Sequence, residues 1–148
     1  ILVEIQALIS HTNFGMPRRT AAGTDYNRMN LLMAVLEKKA GMQLSGCDAY
    51  LNIAGGLKVN EPALDLGIVM AIISSFKNRP INDNTICFGE VGLTGEVRAV
   101  SQAKQRVAEA VKLGFEECIL PKACLKAIGK EDRIKITAIS SVSEICGL

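Results

Sequence analysis

The 148-residue sequence predicts an α/β or α+β domain in which helices flank a mixed β-sheet. Two observations lead to this fold class. Short β-rich stretches such as residues 2–10 alternate along the chain with segments whose apolar residues repeat at helical spacing. No low-complexity linker separates them, and the length suits one compact core. We therefore expect residues 1–148 to form a single domain.

The first part of the chain predicts strands around one amphipathic helix. LVEIQALIS over residues 2–10 alternates as a strand, RRTAAG predicts a second, and AYLNIAG over 49–55 predicts a third. Asp25 or Thr24 can cap the helix between them, and Gly41 ends it. Its apolar positions at helical spacing, which we expect to be buried, are Met29, Leu32, Met33, Val35 and Leu36.

The central segment predicts a buried helix. Pro62 suits a first helical turn, and the helix should run to about Phe76. After Asp65 nearly every side of this helix is apolar, which is typical of a helix packed on all sides. We expect Asp65 itself to complement the helix dipole or to bond a neighbouring loop.

The last third of the chain again alternates strands and helices. TICFGEV over 85–91 predicts a strand, and GLTGEVRAV turns back beside it as a hairpin. A helix over 101–113 should end at Gly114, and the strand CILPK should stop at Pro121. A short helix over 122–128, the strand IKITAI and a final helical turn complete the prediction.

Composition excludes several classes of function. The net charge of +2 is too small to indicate a nucleic-acid partner by itself. Five cysteines without a C-x-x-C pair and a single histidine, His11, leave no plausible zinc set and suit a reducing cytoplasm. The longest apolar run is too short to cross a membrane. Because the chain starts at Ile1 in strand-like sequence, we expect it to be a domain of a longer protein.

The stretch GGLKVNEPALDLG, residues 55–67, has glycines and a lysine as an anion-binding loop does, but it does not match the known sequence patterns of such loops. A phosphate-binding loop ends in Gly-Lys-Ser/Thr, whereas Leu57 separates Gly56 from Lys58 here and Val59 follows. The dinucleotide-binding glycine pattern is absent as well. We therefore expect no nucleotide cofactor in this domain, and two glycines at a turn with a solvated lysine are the simpler interpretation.

Three stretches together resemble the proteolytic domain of the Lon proteases: GGLKVNEPALDLG, FGEVGLTGEVRAV and KLGFEECILP. In that family a serine just after a proline is the nucleophile, and a lysine on a later helix is its base. The resemblance implies the Lon proteolytic fold and places the serine position on Ala63 and the lysine position on Arg106. Ala63 has no hydroxyl, and an arginine does not deprotonate in proteins. We expect no peptidase activity.

The chain also resembles the RadA family of bacterial DNA repair proteins, also called Sms, over nearly its whole length. LVEIQALIS, TNFGMPRRTAAGTDYNRMNLLMAVLEK, DAYLNIAGGLKVNEPALDLG and GEVGLTGEVR carry the resemblance. The second stretch has little in common with general Lon sequences. The ComM and magnesium-chelatase-like proteins share an EGPAFDLP-type segment but not the TNFG-x-PRR-to-DYNR stretch, so they are kept as a distant alternative.

The RadA resemblance implies a Lon-like domain without the dyad, in a protein that promotes branch migration and strand processing during recombination. A zinc finger and a RecA-like ATPase, with the ATP, magnesium and zinc that they bind, would lie outside these residues. It also implies a ring of six copies, double-stranded or branched DNA as a partner, and a recombinase as a further partner. Two alternatives stay open: a purely structural oligomerisation module, and a peptidase with a displaced pair using Ser45, Ser101 or Cys47.

Five cations at loops and element ends predict a backbone-directed contact with duplex DNA. Lys58 follows two glycines at a helix entrance, where free backbone N–H groups favour an anion. A cation in the first turn of a helix, as at Arg28, opposes the helix dipole, so helix stability does not explain it. We expect one basic face with few acids near it. The predicted DNA-contact residues are Lys58, Arg98, Arg28, Arg18 and Arg19.

Overall fold

The computed structural model describes residues 2–13, 15–54 and 61–147. The strands are β1 (Glu4–His11), β2 (Arg19–Ala22), β3 (Cys47–Ala54), β4 (Thr85–Cys87), β5 (Glu90–Val91), β6 (Val97–Arg98), β7 (Glu117–Pro121) and β8 (Lys135–Ile139). The α-helices are α1 (Tyr26–Lys39), α2 (Asp65–Lys77), α3 (Ala103–Lys112) and α4 (Leu125–Ile128), and 3₁₀ turns cover Pro62–Leu64, Lys122–Cys124 and Val142–Gly147.

The N-terminal sheet is mixed, as the sequence predicted. Its order is β1-β3-β2, with β1 antiparallel and β2 parallel to β3. Alternate residues of β3 are buried, and helix α2 packs against β1. The two faces of this sheet therefore differ: one contributes to the core and the other carries exposed side chains.

Helix α1 forms where the apolar spacing predicted it. The Asp25 side chain caps it by accepting a hydrogen bond from the Asn27 N–H at 3.0 Å. Its buried residues are the five predicted ones: Met29, Leu32, Met33, Val35 and Leu36. The helix stops at Lys39, and Gly41 follows with a φ of 68°, a conformation that glycine adopts at little cost.

The central helix is buried as predicted, but it is not one uniform helix. Pro62–Leu64 forms a 3₁₀ turn, and α2 begins at Asp65 and runs to Lys77. Asn78 ends it in the left-handed conformation. Most of the helix is inaccessible to solvent from Asp65 to Ile73. The predicted 122–128 helix is likewise divided into a 3₁₀ turn and the short α4.

The second sheet is parallel, in the order β4-β7-β8, and β5 pairs with β6 in a separate antiparallel hairpin. The prediction of one strand over 85–91 is therefore wrong. Gly89 interrupts it because its N–H donates to the Ala63 carbonyl at 2.9 Å, while its carbonyl accepts from the Leu66 N–H at 3.0 Å. These bonds attach the chain to the start of α2 instead of to a neighbouring strand.

Two apolar clusters lie inside these elements. The larger joins α1, α2 and the inner face of β3, and the smaller joins α3 to β7. The mixed α/β class predicted from the sequence is confirmed, whereas the Lon-like fold and the single-domain organisation remain predictions. Within the described part of the chain, every helix is too short or too polar to cross a bilayer.

Candidate functional site

Ala63 lies in the 3₁₀ turn that precedes α2, at the position where the resemblance places a nucleophile. The residue is only 4% exposed and packs in the smaller apolar cluster with Phe88, Ala103 and Val107. Its carbonyl accepts the Gly89 N–H. The methyl side chain is thus part of the core and presents no group that could attack a carbonyl.

Arg106, on α3, occupies the position of the general base. Its guanidinium forms an ion pair with Glu61, donates to the Ser101 carbonyl at 2.9 Å and lies 5.8 Å from the centre of the Phe88 ring. Because Ala63 packs in the same cluster as Phe88, the fold brings the two dyad positions to one region. Neither side chain can carry out its part of a serine–lysine reaction.

A cleft of about 230 Å³ borders this region. Asp25, Glu61, Asp65 and Glu90 contribute carboxylates to it, and Arg28 contributes a guanidinium. Two of these acids are neutralised, since Glu61 pairs with Arg106 and Asp65 pairs with Arg28. The described residues contain no group of three or more His, Cys, Asp or Glu side chains able to hold a metal ion.

Arg28 is held by a buried acid on another helix. Its guanidinium forms a two-pronged ion pair with Asp65, which is 2% exposed, and also donates to the Val91 carbonyl at 3.1 Å. Asp65 accepts the Val91 N–H at 3.0 Å as well. The hydrogen bond to Asp65 raises the pKa of Arg28, despite the opposing effect of desolvation. The ion pair with Asp65 therefore explains why a cation, Arg28, occupies the first turn of α1 although it opposes the dipole of that helix.

Arg98 also has an acidic partner. Its guanidinium donates to Glu96 Oε2 at 2.8 and 3.0 Å, and more than half of its side chain is exposed. Hydrogen bonds from Thr94, from Arg98 and from the Glu96 N–H itself lower the pKa of Glu96 to about 2. The expectation of few acids near the predicted cations is wrong, because Arg28 and Arg98 each pair with a carboxylate.

The remaining predicted contacts are Arg19, Arg18 and Lys58. Arg19 donates to Asn30 Oδ1 at 3.4 Å and to the Leu44 carbonyl at 3.2 Å. Asn30 is two positions from Arg28, about 200° around α1, so Arg19 and Arg28 lie on different sides of that helix. Arg18 is exposed, and its N–H donates to Asp48. Lys58 lies outside the described residues. The DNA-contact role of these residues stays a prediction.

The structure reveals one pair that the sequence reasoning missed. Cys47 Sγ lies 3.8 Å from His11 Nδ1, because β1 and β3 pair Cys47 with His11 in antiparallel register. Both residues lie just outside the strands predicted over 2–10 and 49–55, so no predicted strand pairing joined them. The thiol is 1% exposed and contacts the Gln43 carbonyl, and burial raises its pKa. Such an environment favours the neutral thiol over a nucleophilic thiolate.

Comparison with known proteins was consistent with the DNA repair resemblance. The chain is 56% identical to DNA repair protein RadA of Bacillus subtilis over 144 residues, 97% of this chain and 31% of that protein. It is 53% identical to DNA repair protein RadA of Halalkalibacterium halodurans over 97% of the chain and 32% of that protein. The Streptococcus pneumoniae protein of the same name is 47% identical over 98% and 34%, respectively. The chain spans about a third of the length of these relatives.

A family model described as subunit ChlI of Mg-chelatase matches residues 8–124. The matched range includes the TNFGMPRR-to-DYNR stretch. The magnesium-chelatase-like proteins, expected from the sequence to be a distant alternative, are therefore also relatives of this chain. The resemblance to the RadA family is confirmed by the relatives above.

Proposed function

Because this chain belongs to the family of the ChlI subunit of Mg-chelatase and is about half identical to proteins named DNA repair protein RadA, we propose that it is a non-peptidase, DNA-contacting and self-associating domain of a DNA repair protein. In this proposal the parent protein hydrolyses ATP elsewhere and acts on recombining or branched DNA in the bacterial cytoplasm. The domain supplies a scaffold and a surface for the DNA backbone.

The observation that carries the non-enzymatic part is the occupation of the two dyad positions. Ala63 is a core methyl group, and Arg106 is bound to Glu61 and to the Ser101 carbonyl. A serine peptidase needs a hydroxyl and a base that can lose its proton. The region of the Lon-like site therefore supports packing between α3 and the 3₁₀ turn before α2, and not hydrolysis.

The DNA contact is supported by the exposed cations and by the scarcity of base-stacking groups. Arg18 is exposed, and the Arg98 guanidinium donates to the Glu96 carboxylate at the surface, a type of interaction that contributes little to stability and that a phosphate can replace. Aromatic residues make up 4% of the sequence and do not alternate with these cations. We therefore propose contact with phosphates of duplex DNA in any sequence, and not stacking on single strands.

Sedimentation and gel retardation of the chain test both parts of the proposal. We expect the mass to rise with protein concentration and duplex DNA to be retarded at low salt, with retardation lost steeply as salt is added. Self-association without DNA retardation would favour the second candidate, a purely structural oligomerisation module. A monomer that retards no DNA would contradict the proposal.

A further inference from the structure

The tip of the β5–β6 hairpin is an exposed apolar side chain on a rigid support. Leu93 is 69% exposed at a turn closed by a hydrogen bond from the Gly95 N–H to the Gly92 carbonyl at 3.0 Å. The Glu96 carboxylate stabilises the turn, since its Oε1 accepts hydrogen bonds from the Thr94 N–H at 3.1 Å and from the Thr94 hydroxyl at 2.6 Å. A leucine held in this way loses little conformational freedom on binding.

The hairpin is also anchored to the body of the protein. Gly95 accepts a hydrogen bond from the Val142 N–H at 2.9 Å, and the Val97 N–H donates to the Ser140 carbonyl at 2.8 Å. A Cβ added at Gly95 would lie 3.0 Å from the Cβ of Lys39, so the stem of this exposed lysine lies beside the tip. Leu93 therefore projects from a turn with a fixed backbone, and the stem of Lys39 packs against the same turn at Gly95.

A shallow groove of about 360 Å³ lies on the exposed face of the sheet β1-β3-β2. Leu8 and Tyr50 lie directly opposite each other in it, with Thr20 on the next strand in register with Tyr50. Leu8 is 58% exposed. Glu4 lies on the same face at one end of the strand β1, whereas Asp48 of β3, opposite Ser10 near the other end, already accepts a hydrogen bond from the Arg18 backbone N–H.

The hairpin and the groove are on opposite sides of the molecule's central helix. Asp65 of α2 bonds the hairpin at Val91, whereas a Cβ at Gly67 would lie 2.8 Å from Ile5 of β1. Two positions along an α-helix are about 200° apart. One copy therefore cannot place its own tip in its own groove, but it can offer the tip to one neighbour and the groove to another.

We propose that Leu93 of one copy docks against Leu8 and Tyr50 of the next, with Lys39 facing Glu4. This interface rests on the self-association in the proposed function and specifies its geometry: a head-to-tail contact, which forms a closed ring or a filament and not a two-fold dimer. The contact is small, so it is weak and depends on concentration. The apolar tip fits the apolar groove, and the charge beside the tip is opposite to the acid at the end of the groove.

Sedimentation equilibrium of the chain and its variants tests the interface. Leu93→Asp and Leu8→Asp should each raise the dissociation constant about tenfold or more, since each buries a charge in an apolar contact. Leu113→Asp, at a leucine that is 51% exposed outside both surfaces, is the matched control and should change nothing. Circular dichroism verifies that every variant is folded. An equal mixture of Leu93→Asp and Leu8→Asp should form heterodimers and nothing larger, because one tip and one groove remain intact.

A charge exchange gives a second readout. Lys39→Glu and Glu4→Lys should each weaken association, and the two changes combined should restore it in part. Association that is unchanged in both leucine variants would overturn this interface while leaving self-association and the proposed function standing. A monomeric mass up to the solubility limit would overturn the interface and self-association together, while DNA retardation would still be judged separately.

Discussion

Arg28 and Asp65 form an ion pair between the first turns of α1 and α2, and the Val91 N–H donates to the same carboxylate. The carboxylate is almost fully buried, whereas about a third of the arginine side chain is exposed. This one pair links two helices to the hairpin. It also gives a structural role to two residues whose sequence context suggested a DNA contact and a helix-dipole effect.

Removing Asp65 should therefore destabilise the chain strongly. Asp65→Ala removes the carboxylate that pairs with the guanidinium and that accepts the Val91 N–H, and we expect a loss of about 3–5 kcal/mol in the free energy of unfolding. Urea denaturation measures it. Asp132→Ala, which breaks an exposed pair with Lys130, is the matched control and should cost less than about 1 kcal/mol. Equal losses in the two variants would contradict the structural role of the pair.

Supplying the missing hydroxyl at Ala63 should not produce peptidase activity. We expect Ala63→Ser to show no turnover of an unstructured protein substrate, because Arg106 cannot act as the base. Adding Arg106→Lys should not help, since the neighbouring Glu61 would favour the protonated lysine. A fluorescent casein assay checks both variants beside an active serine protease. Turnover by the unmodified chain that survives stringent purification would show that a different pair of residues is catalytic.

The predicted DNA contacts should change affinity and salt dependence together. Lys58→Ala, Arg98→Ala and Arg18→Ala should weaken duplex binding equally for all sequences. Each should lower the slope of log affinity against log salt by roughly one unit. Lys130→Ala, at an exposed lysine outside the predicted set, is the control and should leave the slope unchanged.

Arg28→Ala separates the two roles of that arginine. A lower stability with an unchanged salt slope would assign Arg28 to the ion pair alone, whereas a lower slope would support its predicted DNA contact. Thermal unfolding must be followed in parallel, so that binding is compared below the melting temperature of the variant. If Lys58, Arg98 and Arg28 can all be replaced by alanine without effect on binding, the prediction of a basic face is wrong.

Glu96 should titrate far below an ordinary glutamate. Its pKa is about 2 in the folded chain against an ordinary value of 4.5, so the folded state holds the charged form more strongly than the unfolded state does. The stability it contributes is complete above pH 4.5 and is lost as the pH falls towards 2. A carboxyl-carbon NMR titration measures the midpoint. A midpoint near 4.5 would mean that Thr94 and Arg98 do not hold the carboxylate in solution.

Glu96→Gln provides the matching stability experiment. The glutamine keeps an acceptor for Thr94 but removes the charge, so the difference in stability from the unmodified chain should shrink between pH 4.5 and pH 2. Glu131→Gln should show the same narrowing, since the Glu131 pKa is also about 2 through its hydrogen bonds with Arg133. A difference that is constant over this pH range would contradict the assignment.

Local periodicity by itself determined most of the secondary structure. The helical spacing of Met29, Leu32 and Leu36 identified the buried side of α1, because a helix shows the same side every three to four residues wherever it packs. The stretch GLTGEVRAV likewise indicated the β5–β6 hairpin, whose strands are joined by the five residues 92–96. Such patterns depend on neighbours in the chain, and a sequence displays them directly.

Contacts between distant segments were decided only by the tertiary structure. Arg28 and Asp65 are 37 positions apart, and the predicted strand over 85–91 is broken because Gly89 bonds to Ala63 and Leu66 on another segment. The acidic partners of the predicted cations depend on which elements lie side by side. The sequence pattern around a residue does not indicate which distant segments will lie beside it in the folded chain. The charge of a site is set by them, because the energy of an ion depends on the groups within a few ångströms in space and not along the chain.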